Sequence, residues 1–282
     1  MRPWALDIIA SRDRAYDTAE ALGFDDLNDA LSVSVFDRPD GTCHVQALYE
    51  HESEARAAAD TLGIDATVAR LPETDWVAAT QAGLPPIEAG RFVVHGSHDT
   101  PPTDGRIGIL IDAGAAFGTG HHGTTKGCLL MIDSLAGDGH APTNILDLGT
   151  GAGILAIAAA KVFARADILA TDIDPEAVAV ARRNAQRNGV TFPCVAADGF
   201  GAPELDGARF DLILANILAG PLAGLAPDIA KALAPAGRAV LSGILDAQAD
   251  GVASAFEREG LKVQKRPSLD GWTSLWAQRP DG

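Results

Sequence analysis

Cysteine, aromatic and basic residues are all scarce in this chain of 282 residues. The three cysteines, Cys43, Cys128 and Cys194, are odd in number, far apart and never spaced as CxxC. This argues against a disulfide framework or a structural zinc site. It suits a reducing cytoplasm, with the thiols as small buried residues. Lysine and arginine total 22 against 38 aspartates and glutamates, a net charge of −16. Such a surface repels phosphates, and no local basic patch offsets it, so direct nucleic-acid binding is not expected. A cationic ligand or a basic protein partner is compatible with that charge, as is solubility alone. No apolar run approaches the roughly 18 residues that would span a membrane. The N-terminal Met1-Arg2-Pro3-Trp4 leads into Asp7, Arg12 and Asp13, so a secretory leader is not expected. Hydrophobic residues make up 47%, charged residues 21% and aromatics only 5%, a globular profile rather than a disordered or fibrous one. At about 150 residues per domain the length suggests two domains.

The order of elements agrees. Residues 1–70 read as a small α+β unit. Trp4 to Ile9 is a strand, Asp13 to Leu22 a helix stopped by Gly23, and Leu31 to Phe36 and Cys43 to Tyr49 a hairpin around Pro39-Asp40-Gly41. Glu52 to Leu62 is a helix closed by Gly63. Residues 71–105 hold five prolines and four glycines and read as a linker, with Asp75-Trp76-Val77 and Arg91 to Val94 as its ordered candidates. Over residues 106–282 strands and helices alternate, among them a helix from Leu222 to Leu233 and a strand from Arg238 to Ser242. Repeated β-α-β units imply a mainly parallel sheet with helices on both faces and a ligand at the carboxyl ends of the strands. The expected fold is an α/β, Rossmann-like seven-stranded sheet with a small N-terminal α+β domain.

The most informative segment is Asn144 to Ile154. An apolar strand ends in Asp147-Leu148, and Gly149, Gly151 and Gly153 follow. Glycine lets the backbone turn tightly and approach a ligand, and the next helix offers free N–H groups. A dinucleotide site needs GxGxxG. Here the third glycine comes one residue early and residue 154 is isoleucine. Asp147 also suits a cationic ligand such as S-adenosylmethionine better than a pyrophosphate. Asp172 ends the next strand, 23 residues after Gly149, where an acid accepts from both ribose hydroxyls. Asp198 follows the strand after that and is placed to receive an adenine amino group. Each acid alone could be a turn or cap residue, but three at successive strand ends form a pattern. Asp174, just before Pro175, reads as a helix N-cap.

Asp147-Leu148-Gly149-Thr150-Gly151-Ala152-Gly153, Asp172-Ile173-Asp174 and Ala215-Asn216-Ile217-Leu218 resemble class I S-adenosylmethionine-dependent methyltransferases. Phe117-Gly118-Thr119-Gly120-His121-His122-Gly123-Thr124-Thr125 is more specific. It resembles the signature of the PrmA family, enzymes that methylate the eleventh protein of the large ribosomal subunit. Asn216 to Leu222 and Ser242-Gly243-Ile244-Leu245 are similar to that family too. One departure is Asp112-Ala113-Gly114, where the family has Asp-Pro-Gly; the missing proline frees one φ angle.

The resemblance implies that Thr125, Gly149, Asp172 and Asn216 contact the cofactor. It also implies that residues 1–70 recognise the substrate protein, and that the linker lets several amines reach one catalytic site. Asn216 would also align the amine through its carbonyl oxygen. His122 is a candidate for touching or deprotonating the substrate, with hydrogen bonding to its own loop as the other reading. Phe117 is a candidate for stacking on the cofactor or substrate, with core packing as the other reading. The expected activity is methyl transfer to lysine ε-amines or the N-terminal α-amine of a large-subunit ribosomal protein; another protein or a small amine is the alternative substrate. No metal is expected. The enzyme is expected to be a cytoplasmic monomer with no membrane or nucleic-acid partner.

Overall fold

The computed structural model describes residues 3–24, 30–38, 40–63, 66–70, 86–111, 122–265 and 268–280. The chain divides into two compact units, the break falling after Trp76.

The first unit runs β1 (Trp4–Ser11), α1 (Arg12–Phe24), β2 (Ser32–Asp37), β3 (Thr42–Tyr49), α2 (Glu52–Leu62) and β4 (Thr67–Arg70). Its antiparallel sheet has the order β2-β3-β1-β4, a split βαβ pattern. Strand β3 buries every second residue, Cys43, Val45, Ala47 and Tyr49, and so supplies one wall of the core. The expected hairpin forms where Asp40 Oδ1 accepts from the backbone N–H of Thr42 at 3.0 Å. Gly63 ends α2 with φ of 58°, a left-handed cap that glycine adopts without strain. Strand β4 escaped the sequence reading because its four residues are mostly exposed and carry no apolar alternation.

The second unit begins with a three-stranded sheet, β5 (Ile87–Ala89), β6 (Phe92–His95) and β7 (Ile107–Leu110). The expected linker therefore divides. Residues 71–85 lie outside the described residues, whereas 86–105 carry β5 and β6. These strands are short and set among prolines and glycines; β6 falls on the ordered candidate Arg91 to Val94, whereas composition hides β5. Their apolar side chains, Ile87, Phe92 and Val94, join the core of the second unit.

The main sheet and its helices follow. They are α3 (His122–Gly137), β8 (Asn144–Leu148), α4 (Ile154–Val162), β9 (Asp167–Asp172), α5 (Pro175–Arg187), β10 (Cys194–Ala196), β11 (Phe210–Asn216), α6 (Ala219–Gly224), α7 (Ala226–Ala232), β12 (Leu233–Leu245), α8 (Ala249–Arg258), β13 (Lys262–Lys265) and β14 (Trp272–Gln278). The seven strands are ordered β10-β9-β8-β11-β12-β14-β13, parallel except at β14. The α/β fold with a seven-stranded sheet is thus as expected. Strand β11 is apolar from Leu212 to Ala215 because both faces are covered there. Leu212 and Leu214 join one core, and Ile213 and Ala215 the other. The chain builds outward from β8 to β10, then returns to place β11 on the other side of β8. That reversal opens a crevice at the carboxyl ends of β8 and β11.

Three boundaries differ from expectation. Helix α1 is not stopped by Gly23 but continues through it to Phe24. The helix expected over Leu222 to Leu233 is two short helices, because Gly224 and Pro227 interrupt it. Strand β12 begins at Leu233, far before Arg238, since Leu233 already pairs with Phe210. All three cysteines are buried, as expected. The side chain of Asn188 accepts from the N–H of Leu110 and donates to its carbonyl, each at 2.8 Å, completing β7 as a neighbouring strand would. Asn188→Leu removes both bonds and is expected to lower stability by about 2 kcal/mol, read by urea unfolding. A loss within ordinary error would contradict that role.

Candidate functional site

The glycine loop follows β8 directly. Gly149, Gly151 and Gly153 have φ of 69°, 53° and 86°, all in the left-handed region. A Cβ on Gly149 would lie 2.3 Å from Ile217 Cγ2, so the loop after β8 packs hard against the residue after Asn216. A Cβ on Gly153 would lie 3.2 Å from the Cα of Ala181. Gly153 is therefore required for close packing of α4 on α5. Within the loop, Thr150 donates its N–H to the Thr171 carbonyl at 2.8 Å and accepts from Gly153 N at 2.9 Å.

Asp147 has only 1% of its surface exposed. Its Oδ2 accepts from Thr150 Oγ1 at 2.6 Å and from the N–H of Ala156 at 3.0 Å. The carboxylate thus faces inward, joining loop to helix, and not toward the open side of the loop. Burial pushes this carboxyl up to about 6; the two donors oppose the shift and the charge of Asp172 adds to it. A raised carboxyl holds its proton more tightly in the folded chain. Its favourable contribution is therefore full below the unfolded value near 4 and disappears as pH rises through about 6. Asp147→Asn keeps an acceptor for both donors and removes the charge. It is expected to stabilise the chain by about 2–3 kcal/mol near pH 8 and by almost nothing near pH 4. Urea unfolding at both pH values checks this; a gain independent of pH would contradict it.

Asp172 ends β9 and is half-buried. Its Oδ2 accepts from Gly151 N at 2.8 Å and its Oδ1 from Asp174 N at 3.0 Å. The acid and the glycine loop are thereby joined at one strand edge. Asp174 accepts from Glu176 N at 2.8 Å, the helix cap read from the sequence. Asp198 is exposed, two residues beyond the end of β10.

Asn216 is the last residue of β11. Its Nδ2 donates to Thr125 Oγ1 at 3.5 Å. Two residues 91 apart in sequence, each singled out from it, meet where the sheet reverses. Phe117 and the side chain of His122 lie outside the described residues. His122 itself begins α3. No group of His, Cys, Asp and Glu able to hold a metal occurs among the described residues.

Sequence reasoning missed several supporting residues. Asn184 donates to the carbonyl of Ala152 at 2.9 Å and fixes the loop from α5. Gly243, with φ of 82°, lies against Ile217: a Cβ there would be 2.2 Å from that residue's carbonyl oxygen. Ser242 and Ser274 share a buried hydrogen bond of 2.9 Å. Ser242 and Gly243 carried a sequence signal, as part of the quoted Ser242-Gly243-Ile244-Leu245, but not these contacts; Asn184 and Ser274 carried none.

The donor set fits S-adenosylmethionine. Left-handed glycines bring the loop backbone close, Asp172 supplies acceptor oxygens at the strand end, and the loop from Gly149 to Gly153 holds no cation for a phosphate.

Comparison with known proteins agrees with this geometry. The family model for ribosomal protein L11 methyltransferase (PrmA) matches residues 16–280. A ribosomal protein L11 methyltransferase of Brucella suis is 46% identical over 277 residues, covering 94% of this chain and 95% of that protein. One from Rhodopseudomonas palustris is 44% identical over 283 residues, covering 95% and 94%. The crystal structure of a ribosomal protein L11 methylase from Lactobacillus delbrueckii subsp. bulgaricus superposes with a TM-score of 0.62 at 31% identity, covering 69% of this chain and 98% of that one. With the glycine loop, Asp172 and the Thr125–Asn216 pair at one edge of its sheet, the chain belongs to the ribosomal protein L11 methyltransferase family.

Proposed function

We propose that this chain transfers methyl groups from S-adenosylmethionine to amines of ribosomal protein L11, lysine ε-amines or the N-terminal α-amine. Family membership gives the methyl donor and the protein substrate. The observation that carries the finer reading is the contact between Asn216 and Thr125 beside the glycine loop. The bound donor supplies an electrophilic methyl group on a positive sulfonium. The chain's own task is alignment, which can contribute about 7–11 kcal/mol.

An amine reacts only in its neutral form. A lysine of pKa near 10.4 is neutral in about one molecule in 2500 at neutral pH. Burial against a positive charge lowers that pKa and raises the neutral fraction. With its amide nitrogen directed to Thr125, Asn216 turns its carbonyl oxygen to the amine and accepts an N–H, which aims the lone pair. Asp172 takes the ribose hydroxyls, the backbone of Gly149 and Gly151 borders the amino-acid part, and Asp198 faces the adenine amino group. Asp147 acts from beneath by fixing the loop.

In this reading residues 1–70 recognise the substrate protein, and the enzyme works in the cytoplasm as a monomer. No helix among the described residues is long and apolar enough to cross a membrane.

Asp172→Ala is expected to weaken S-adenosylmethionine binding by about 10- to 100-fold, the effect of losing a charged acceptor, measured by titration calorimetry. Unchanged affinity would remove Asp172 from the cofactor site. Transfer of radiolabelled methyl to purified L11, with a small amine as competitor, tests the function itself. Label on the amine alone would overturn the protein substrate.

A further inference from the structure

Three elements converge on the first turn of α3. Asn216, the last residue of β11, stands directly opposite Ser242 within β12. Asn216 reaches the Thr125 hydroxyl, and Ser242 Oγ donates to the carbonyl oxygen of the adjacent Thr124 at 3.3 Å. A serine has one hydroxyl proton. With that proton on the Thr124 carbonyl, Ser242 accepts from Ser274 Oγ of β14 at 2.9 Å. Thr124, Ser242 and Ser274 are all buried.

The helix lies flush on this strand edge. A Cβ on Gly127 would be 2.4 Å from Ser274 Oγ, and one on Gly123 would be 2.6 Å from the Leu269 carbonyl oxygen. Burying two hydroxyls is unfavourable unless each finds a partner, and an apolar pair would fill the same space. A carbonyl inside a helix already accepts from the N–H four residues on, so the proton from Ser242 is a second donor to it. The bond sets where the turn sits.

We propose that Ser242, backed by Ser274, is a positioning residue that fixes the first turn of α3 so that the Thr125 hydroxyl meets Asn216. The inference rests on the reading of Thr125 and Asn216 as parts of the methyl-transfer site. Neither serine touches the reacting groups.

A double-mutant cycle on the full chain tests it, with Thr125→Val, Ser242→Ala and their combination. The readouts are kcat and KM for methyl transfer to L11, calorimetric affinity for S-adenosylmethionine, and melting temperature. Ser242→Ala is expected to lower kcat about tenfold. The combined variant is expected to be no slower than the slower single one, because a misplaced Thr125 hydroxyl has nothing left to lose. Ser274→Ala should repeat the pattern at about threefold, and it takes the place of Ser242→Ala in the cycle if that variant does not fold. Losses that multiply, or a lower melting temperature with kcat unchanged, would overturn the proposal while leaving the site reading intact. If Thr125→Val alone changes neither kcat nor affinity, the site reading fails and the proposal falls with it.

Discussion

Asn216→Ala is expected to lower kcat for methyl transfer about a hundredfold while cofactor affinity changes only a few-fold. The side chain sits at the end of a strand buried on both faces, so its backbone is fixed and the alanine variant should fold. What is lost is the contact with Thr125 and, in the proposed reading, the acceptor that orients the amine. Misplacement of a reacting group by about 1 Å can cost a factor of that size. Stopped-flow or radiometric rates, together with calorimetric binding, separate the two effects. A variant with weakened binding and an unchanged rate would make Asn216 a binding residue only. Asn216→Asp keeps an acceptor oxygen but brings a negative charge to the amine. It stabilises the protonated, unreactive form and should not restore the rate at neutral pH.

Gly243→Val should be the most destabilising single change, by about 4 kcal/mol or more, because two costs add. Its φ of 82° is a conformation that a β-branched residue adopts only under strain. The new Cβ would also lie 2.2 Å from the Ile217 carbonyl oxygen and 2.7 Å from its carbonyl carbon. That neighbour is backbone and cannot swing aside. Ile217 cannot retreat either, since its side chain meets Gly149 on the other side. The loops after β8 and β11 and the strand β12 are thus packed around one residue. Thermal unfolding checks the expected loss; a variant as stable as the native chain would mean that these three segments are not so joined.

The parts of the fold legible in the sequence are those governed by local chemistry. The glycine loop announces itself through the residue type that left-handed φ requires. Asp174 is legible as a cap because Pro175 follows it. Strand β11 is legible because a strand covered on both faces must be apolar along its length. Strand β6 is legible in part, since it falls on the ordered candidate Arg91 to Val94; β5 is not, because its burial comes from packing with a distant helix and not from its own pattern.

The site divides in the same way. Asp172 and Asn216 stand at strand ends, where a motif can mark them. Asn184 lies on an amphipathic helix and Asn188 caps its C-terminal end, places where a polar side chain normally signals a solvent-facing position. Here both bind backbone groups far away in sequence, at Ala152 and Leu110. Ser242 and Ser274 find one another across 32 residues, a pairing that only the strand order creates. Asp147 shows the opposite error of inference. An acid beside a glycine loop suggests a ligand group, yet its oxygen is taken by Thr150 and Ala156.

Whether this sheet edge methylates amines of a ribosomal protein is tested most directly by tandem mass spectrometry of L11 after incubation with S-adenosylmethionine and either the native chain or Asn216→Ala. Methyl increments are expected on lysine side chains or the N-terminal amine with the native chain, and almost none with the variant in the same time. Increments confined to carboxylate or hydroxyl side chains, or equal modification by both proteins, would contradict that activity.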